Sequence, residues 1–112
     1  MPAQPQLSQA FYASRVTQKG TRAEDILAGS RERNAKLGIT GGLVFTGIHF
    51  CQVLEGPEEN VEMLLSKIRM DLRHQSFTLV YHEPKAIRSF ALWTMGYAAM
   101  PFADQLIVPL IN

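Results

Sequence analysis

The sequence predicts an α+β fold, with two helices packed on one face of a mixed five-stranded sheet. Two observations predict it. Apolar residues recur at strand spacing in five short stretches and at helical spacing in two longer ones. These stretches run in the order strand, helix, strand, strand, helix, strand, strand, and 112 residues with 46% hydrophobic content suffice for one core.

The elements follow in turn. Residues 1–9 carry two prolines and three glutamines and read as a flexible lead-in. From Ala10 to Val16, β-formers and small residues predict a strand, with Tyr12 and Ser14 on one face and Phe11 and Ala13 on the other. Thr21-Arg22-Ala23-Glu24 is a capping box, so a helix follows it and stops at Leu37, where Gly38 is free to take the left-handed closing conformation. The apolar stripe of this helix is Ala23, Ile26, Leu27 and Leu37, and Ser30 and Asn34 fall inside it. Thr40 to Phe45 reads as a buried strand opened by Gly41-Gly42, Thr46-Gly47 as a turn, and His49 to Leu54 as the partner strand. On that partner Phe50, Gln52 and Leu54 share a face.

Gly56-Pro57-Glu58-Glu59 starts the second helix, with Pro57 at its first position and acids in its first turn. Val61, Leu64, Leu65, Ile68 and Leu72 form its stripe, with Met63 and Met70 on the opposite side. Phe77 to Tyr81 and Ala91 to Ala98 are the remaining strands, separated by a solvated basic loop through Lys85 and Arg88. Trp93, Met95 and Tyr97 share a face of the last strand. The first six elements make the ferredoxin-like βαββαβ order, and the seventh adds a fifth strand. Residues 101–112 form a short apolar tail whose Leu106–Ile111 run needs cover. A domain over residues 10–100 is expected between lead-in and tail.

Bulk properties narrow the function. A net charge of +1 gives no strong field toward nucleic acid or an acidic membrane surface. No apolar run approaches the roughly 20 residues of a membrane helix, and MPAQPQLSQ does not read as a signal peptide. The lone cysteine, Cys51, fits a reducing compartment, and the expected location is the cytoplasm.

The informative feature is a set of uncharged polar residues on apolar faces: Tyr12, Ser30, Asn34 and Gln52. Two amides and a phenol supply donors and acceptors without net charge, which suits a neutral planar ring bearing carbonyls and ring nitrogens, such as a flavin. Hydrolysis would call for a titrating group. Each residue alone is better explained by a buried backbone group in need of a partner. Asn34 and Gln52 together favour a ligand. His49 and Cys51 lie on one strand face but do not make a zinc site, and His74 and His82 lie at no standard spacing. They read as an edge histidine and a buried thiol, both facing away from Gln52.

The chain resembles the BLUF family of flavin-based blue-light sensors over roughly Ala10 to Met100. The matching motifs are Tyr12-Ala13-Ser14, Arg33-Asn34-Ala35-Lys36-Leu37-Gly38-Ile39-Thr40-Gly41, Phe50-Cys51-Gln52-Val53-Leu54-Glu55-Gly56, Asp71-Leu72-Arg73-His74 and Phe90-Ala91-Leu92-Trp93-Thr94-Met95-Gly96. The resemblance implies that Tyr12 donates an electron to the excited flavin and that Gln52 is the hydrogen-bonding switch between them. It implies that Asn34 holds the polar ring edge, with Ser30 behind it. Ile26 and Ile68 would sandwich the ring, and Phe50 would line the pocket. Asp71, Arg73 and His74 would sit near the ribityl chain and phosphate, and Trp93 or Met95 near Gln52. The implied cofactor is FAD, with FMN and riboflavin as alternatives. The implied partners are a downstream protein or output domain, or a second copy of the chain; no turnover is implied.

Arg33 departs into a variable family position, and His49 and Cys51 are less usual neighbours of the Phe50–Gln52 stretch. The tail is too short for the pair of C-terminal helices many members carry. A competing reading is an acylphosphatase-like hydrolase, with Val16–Arg22 as a phosphate loop, but the capping box already explains Thr21 and Arg22. A ligand-free interaction module leaves Asn34 and Gln52 without a stated partner. A yellow protein separates the sensor from both.

Overall fold

A computed structural model describes residues 6–16, 23–71, 74–91, 96–99 and 109–110, with the backbone alone at 23–26, 28, 74 and 97–99. The elements are β1 (Leu7–Val16), α1 (Ala23–Leu37), β2 (Thr40–Phe45), β3 (His49–Pro57), α2 (Glu58–Met70), β4 (His74–Pro84) and β5 (Gly96–Ala99). The sheet order is β4-β1-β3-β2-β5. Adjacent strands from β4 to β2 are antiparallel, and β5 lies parallel to β2, with Gly42 opposite Gly96. β1 and β3, which carry the polar residues of interest, therefore lie at the centre of the sheet.

The two helices cover one face. Alternation along the central strands sends Ala10, Tyr12 and Val16, and Phe50 and Leu54, into the core. There they meet Leu27 and Ile39 and the α2 stripe of Val61, Leu64, Leu65 and Ile68. Each of the four α2 side chains contributes up to about 1.5–3 kcal/mol by leaving water. Met63 and Met70 face solvent, as the helical phase predicts. Leu72 lies outside the described residues.

α1 ends as the sequence implies: Gly38 has φ +65, and the Ile39 amide donates to the Asn34 carbonyl at 2.9 Å. The capping box at Thr21 lies outside the described residues. Gly41 is required for a different reason, because a Cβ there would lie 1.9 Å from the Val53 carbonyl oxygen on the adjoining strand.

Several boundaries differ from expectation. β1 begins at Leu7 rather than Ala10, because Leu7, Ser8 and Gln9 pair with Pro57, Gly56 and Glu55. The expected lead-in is thus already sheet from residue 7. β3 runs three residues past Leu54 for the same reason. Pro57 is the N-cap of α2, not its first helical residue: at ψ 133 it is still extended. It offers no side-chain cap, and the Glu58 amide donates instead to the Gln6 carbonyl at 2.9 Å. β4 covers 74–84, well beyond Phe77–Tyr81, and is bent where its register against β1 shifts. Ala91 lies in a turn, β5 is described over Gly96–Ala99, and residues 92–95 of the expected last strand lie outside the described residues.

The basic loop is not a solvated connector at Arg88. Its guanidinium donates to Thr40 Oγ1 (2.9 Å), the Glu55 carbonyl (3.2 Å) and the Gly38 carbonyl (2.7 Å). His49 is not at an edge either: it is buried on central β3, while Cys51 is only half-buried.

Candidate functional site

The site grows out of the β1–β3 ladder. Tyr12 and Gln52 are directly opposite in the register, so their side chains emerge on the same face. The Tyr12 hydroxyl donates to Gln52 Oε1. Both are buried, at 2% and 5% exposure. Phe50 and Leu54 flank Gln52 on that face, as the alternation predicts, and Phe50 stacks on Phe45 with ring centroids 4.6 Å apart. The Tyr12 ring stacks on Phe77 of β4 at 4.9 Å, and the Arg69 guanidinium lies over the Phe77 ring, 5.0 Å from its centroid. Tyr12 is thus held at its ring by Phe77 and at its hydroxyl by Gln52.

The helices supply the other wall. Ser30 and Asn34, one turn apart on α1, are buried on its inward side, at 7% and 0% exposure. Arg33 Nη2 approaches Ser30 Oγ at 3.5 Å. Ile68 of α2 is buried in the core cluster that also holds Tyr12, Leu27 and Phe50. Asp71 is the half-buried C-cap of α2, its amide donating to the Ile68 carbonyl at 3.0 Å. A solvent-open groove of about 400 Å³ runs along the outer side of this helix pair, lined by Gly29, Glu32, Arg33, Lys36, Leu37 and Lys67. The structure therefore brings Tyr12, Phe50, Gln52 and Ile68 together, with Ser30 and Asn34 turned inward from α1. The Ile26 and His74 side chains and all of Arg73, Trp93 and Met95 lie outside the described residues.

The donor set fits a flavin ring. It is uncharged, it presents both donors and acceptors, and it is bounded by aliphatic and aromatic side chains. Among the described residues, the buried set of Tyr12, Ser30, Asn34, Phe50, Gln52 and Ile68 carries no carboxylate, imidazole or thiol.

Sequence reasoning missed two groups. Phe77 and Arg69 support Tyr12, and no periodicity signals that, because the contact spans α2, β4 and β1. On the opposite face of the sheet, Gln9 Nε2 donates to Glu55 Oε2 (2.7 Å), and Tyr81 donates to Gln9 Oε1 (2.6 Å). Glu55 is 1% exposed and also accepts the amides of Ser89 (2.8 Å) and Phe90 (2.6 Å). The one available signal was a glutamate inside an apolar strand, which demands partners. Burial pushes the Tyr81 phenol up, with the Glu83 and Glu55 charges adding to the effect. Burial alone pushes the Cys51 thiol up from 9.0 to about 11.

Known proteins bear on this geometry. The family described as "Sensors of blue-light using FAD" (BLUF) matches residues 7–96. The blue light- and temperature-regulated antirepressor BluF of Escherichia coli K12 is 43% identical over 83 residues, covering 74% of this chain and 19% of that protein. The photoactivated adenylate cyclase subunit beta of Euglena longa is 36% identical over 95 residues, covering 82% of this chain and 11% of that protein. The chain thus spans a small part of these relatives. Among solved structures, the dark state of BlrB, a BLUF protein, superposes with a TM-score of 0.81 at 34% identity, covering 96% of this chain and 83% of that one. With the match running from the first strand into the fifth, the chain belongs to the BLUF family: it is a flavin-based blue-light sensor module of photoreceptor signalling.

Proposed function

We propose that the photochemistry runs through Tyr12 and Gln52, and the hydrogen bond between them is the observation that carries this reading. A bound flavin excited by blue light supplies a strong one-electron oxidant. Tyr12 is the donor. Its phenolic proton has the Gln52 amide oxygen as its immediate acceptor, so electron and proton leave Tyr12 together or in close succession. Both return to Tyr12, and no net oxidation remains. What persists is a Gln52 side chain rotated or tautomerised, with its amide bonding a different ring-edge atom. That change is worth a few kcal/mol at most, so it acts by biasing an element already poised between two states.

The remaining roles extend the reading. Asn34 holds the polar ring edge, with Ser30 supporting it. Ile26 and Ile68 bracket the ring from the two helices, and Phe50 closes the pocket. Asp71, Arg73 and His74 serve the ribityl chain and phosphate. FAD is the proposed flavin, ahead of FMN and riboflavin. Trp93 or Met95 carries the change into the last strand. The architecture is read as ferredoxin-like with β5 as the added strand, the photosensory unit as residues 10–100 with the β1 start at Leu7, and residues 101–112 as an apolar tail. The signal passes to an output domain, a separate protein or a second copy of the chain, in the cytoplasm. The relatives' names, an adenylate cyclase subunit and an antirepressor, support an output outside the sensor itself.

The test is an absorption spectrum of the purified protein before and after blue illumination, with mass analysis of the released pigment. The expected result is a flavin spectrum that shifts reversibly to the red. A protein that binds no flavin, or whose flavin spectrum is unmoved by light, overturns the reading.

A further inference from the structure

The face of the sheet turned away from the helices carries a polar cluster that the photochemistry does not use. The register pairs Gln9 with Glu55, three residues from Tyr12 on β1 and three from Gln52 on β3. An odd offset puts this pair on the opposite face of the same two strands. The Glu55 carboxyl group takes three N–H donors: Gln9 Nε2 and the Ser89 amide on Oε2, and the Phe90 amide on Oε1. Arg88 adds three more bonds, to the Gly38 carbonyl after α1, to Thr40 Oγ1 at the start of β2, and to the backbone carbonyl of Glu55 itself. The Phe90 ring lies against Gly42, whose backbone pairs with Gly96 of β5.

We propose that Glu55, with Arg88, is a positioning residue that fastens the strand carrying Gln52 to the segment leading into β5. The proposal rests on the Tyr12–Gln52 reading above. Residues 88–90 lie outside the assigned strands, and the bonds of Glu55 and Arg88 tie them to β3. A displacement of β3 at Gln52 reaches Glu55 through one continuous strand, and Glu55 pulls directly on the backbone of Ser89 and Phe90. The rearranged Gln52 then reverts only when this segment moves back with it. The clasp thereby links the local amide change to the last strand and slows its decay.

The chemistry of the cluster requires a carboxyl group. Glutamine has nearly the same shape but only one oxygen. Placing its NH2 at the Oε1 position turns it toward the Phe90 amide, and placing it at the Oε2 position turns it toward the Ser89 amide. Gln9 can flip to suit, because the Tyr81 hydroxyl can accept as well as donate. A backbone N–H cannot, so in either orientation one of the two amides loses its acceptor.

The experiment compares flavin-loaded wild type with Glu55→Gln and Arg88→Met. Both variants are expected to keep the flavin and the light-induced red shift. Dark recovery is expected to accelerate by about threefold to tenfold, the range that the loss of one such hydrogen bond spans. The light-minus-dark infrared difference in the backbone carbonyl region should fall by roughly half or more, whereas a merely structural contact would leave it unchanged in a folded protein. Wild-type recovery together with an undiminished backbone difference in both variants overturns the proposal. Should Glu55→Gln fail to fold, Arg88→Met decides it by the same readouts. A wild type that itself ignores light overturns the photochemical reading, and the clasp's signalling role with it, before any variant is compared.

Discussion

Tyr12 and Gln52 stand opposite each other on the two central strands, with the phenol donating to the amide oxygen. Gln52→Leu removes that acceptor while continuing the apolar face of Phe50 and Leu54. The variant is expected to retain flavin and to lose the light-induced red shift, as read by difference absorption. It also leaves a buried hydroxyl without its acceptor, a cost of about 1–3 kcal/mol in denaturant unfolding.

Tyr12→Phe tests the other partner. The ring and its stack on Phe77 survive, so the fold should lose only about 1 kcal/mol. The red-shifted product should no longer form through the normal photocycle. Flash spectroscopy that shows an unaltered cycle would count against Tyr12 as the electron donor.

Asn34 is fully buried on the inward side of α1. Asn34→Ala removes the amide proposed to hold the ring edge, and is expected to weaken flavin binding by about tenfold or more. Fluorescence titration of the apoprotein checks this. Equal affinity together with an unshifted spectrum would take Asn34 out of the site.

Gly41→Ala should be among the most damaging small substitutions. The added methyl would meet a backbone carbonyl oxygen on β3, which cannot rotate away. A loss of about 2–4 kcal/mol is expected in urea unfolding.

The Cys51 thiol supplies a pH prediction. Its folded value of about 11 lies above the ordinary 9.0, so folding disfavours the thiolate. Its contribution to stability is complete below pH 9 and is lost as pH rises toward 11, because the unfolded chain releases its proton first. Alkylation of the folded protein should follow a titration centred near 11. A midpoint near 9 would contradict the burial of this thiol.

Much of the fold is legible in the sequence because its signals are local. Gly38 closes α1 and the α2 stripe is buried, both within a few residues of the feature that predicts them. The Tyr12–Gln52 pairing was accessible in part: alternation placed each on an apolar face, and the family resemblance joined them. The strand ends were not legible. Whether Leu7 or Ala10 starts β1 depends on pairing with Pro57, fifty residues away, and not on propensity. Arg88 looked like one more charge in a loop, since its three acceptors come from the end of α1, β2 and β3. Phe77 escaped notice as the support of Tyr12 because a register shift in β4 decides which of its residues face the helices.

The bond from the Glu58 amide to the Gln6 carbonyl has a practical side. Anyone transplanting this domain as a light-responsive cassette would be tempted to trim it at the first motif residue. Such a cut discards the acceptor that seats the opening turn of α2, the helix that buries Ile68 in the core. A graft joined ahead of Gln6 keeps that seat, and the joint belongs there.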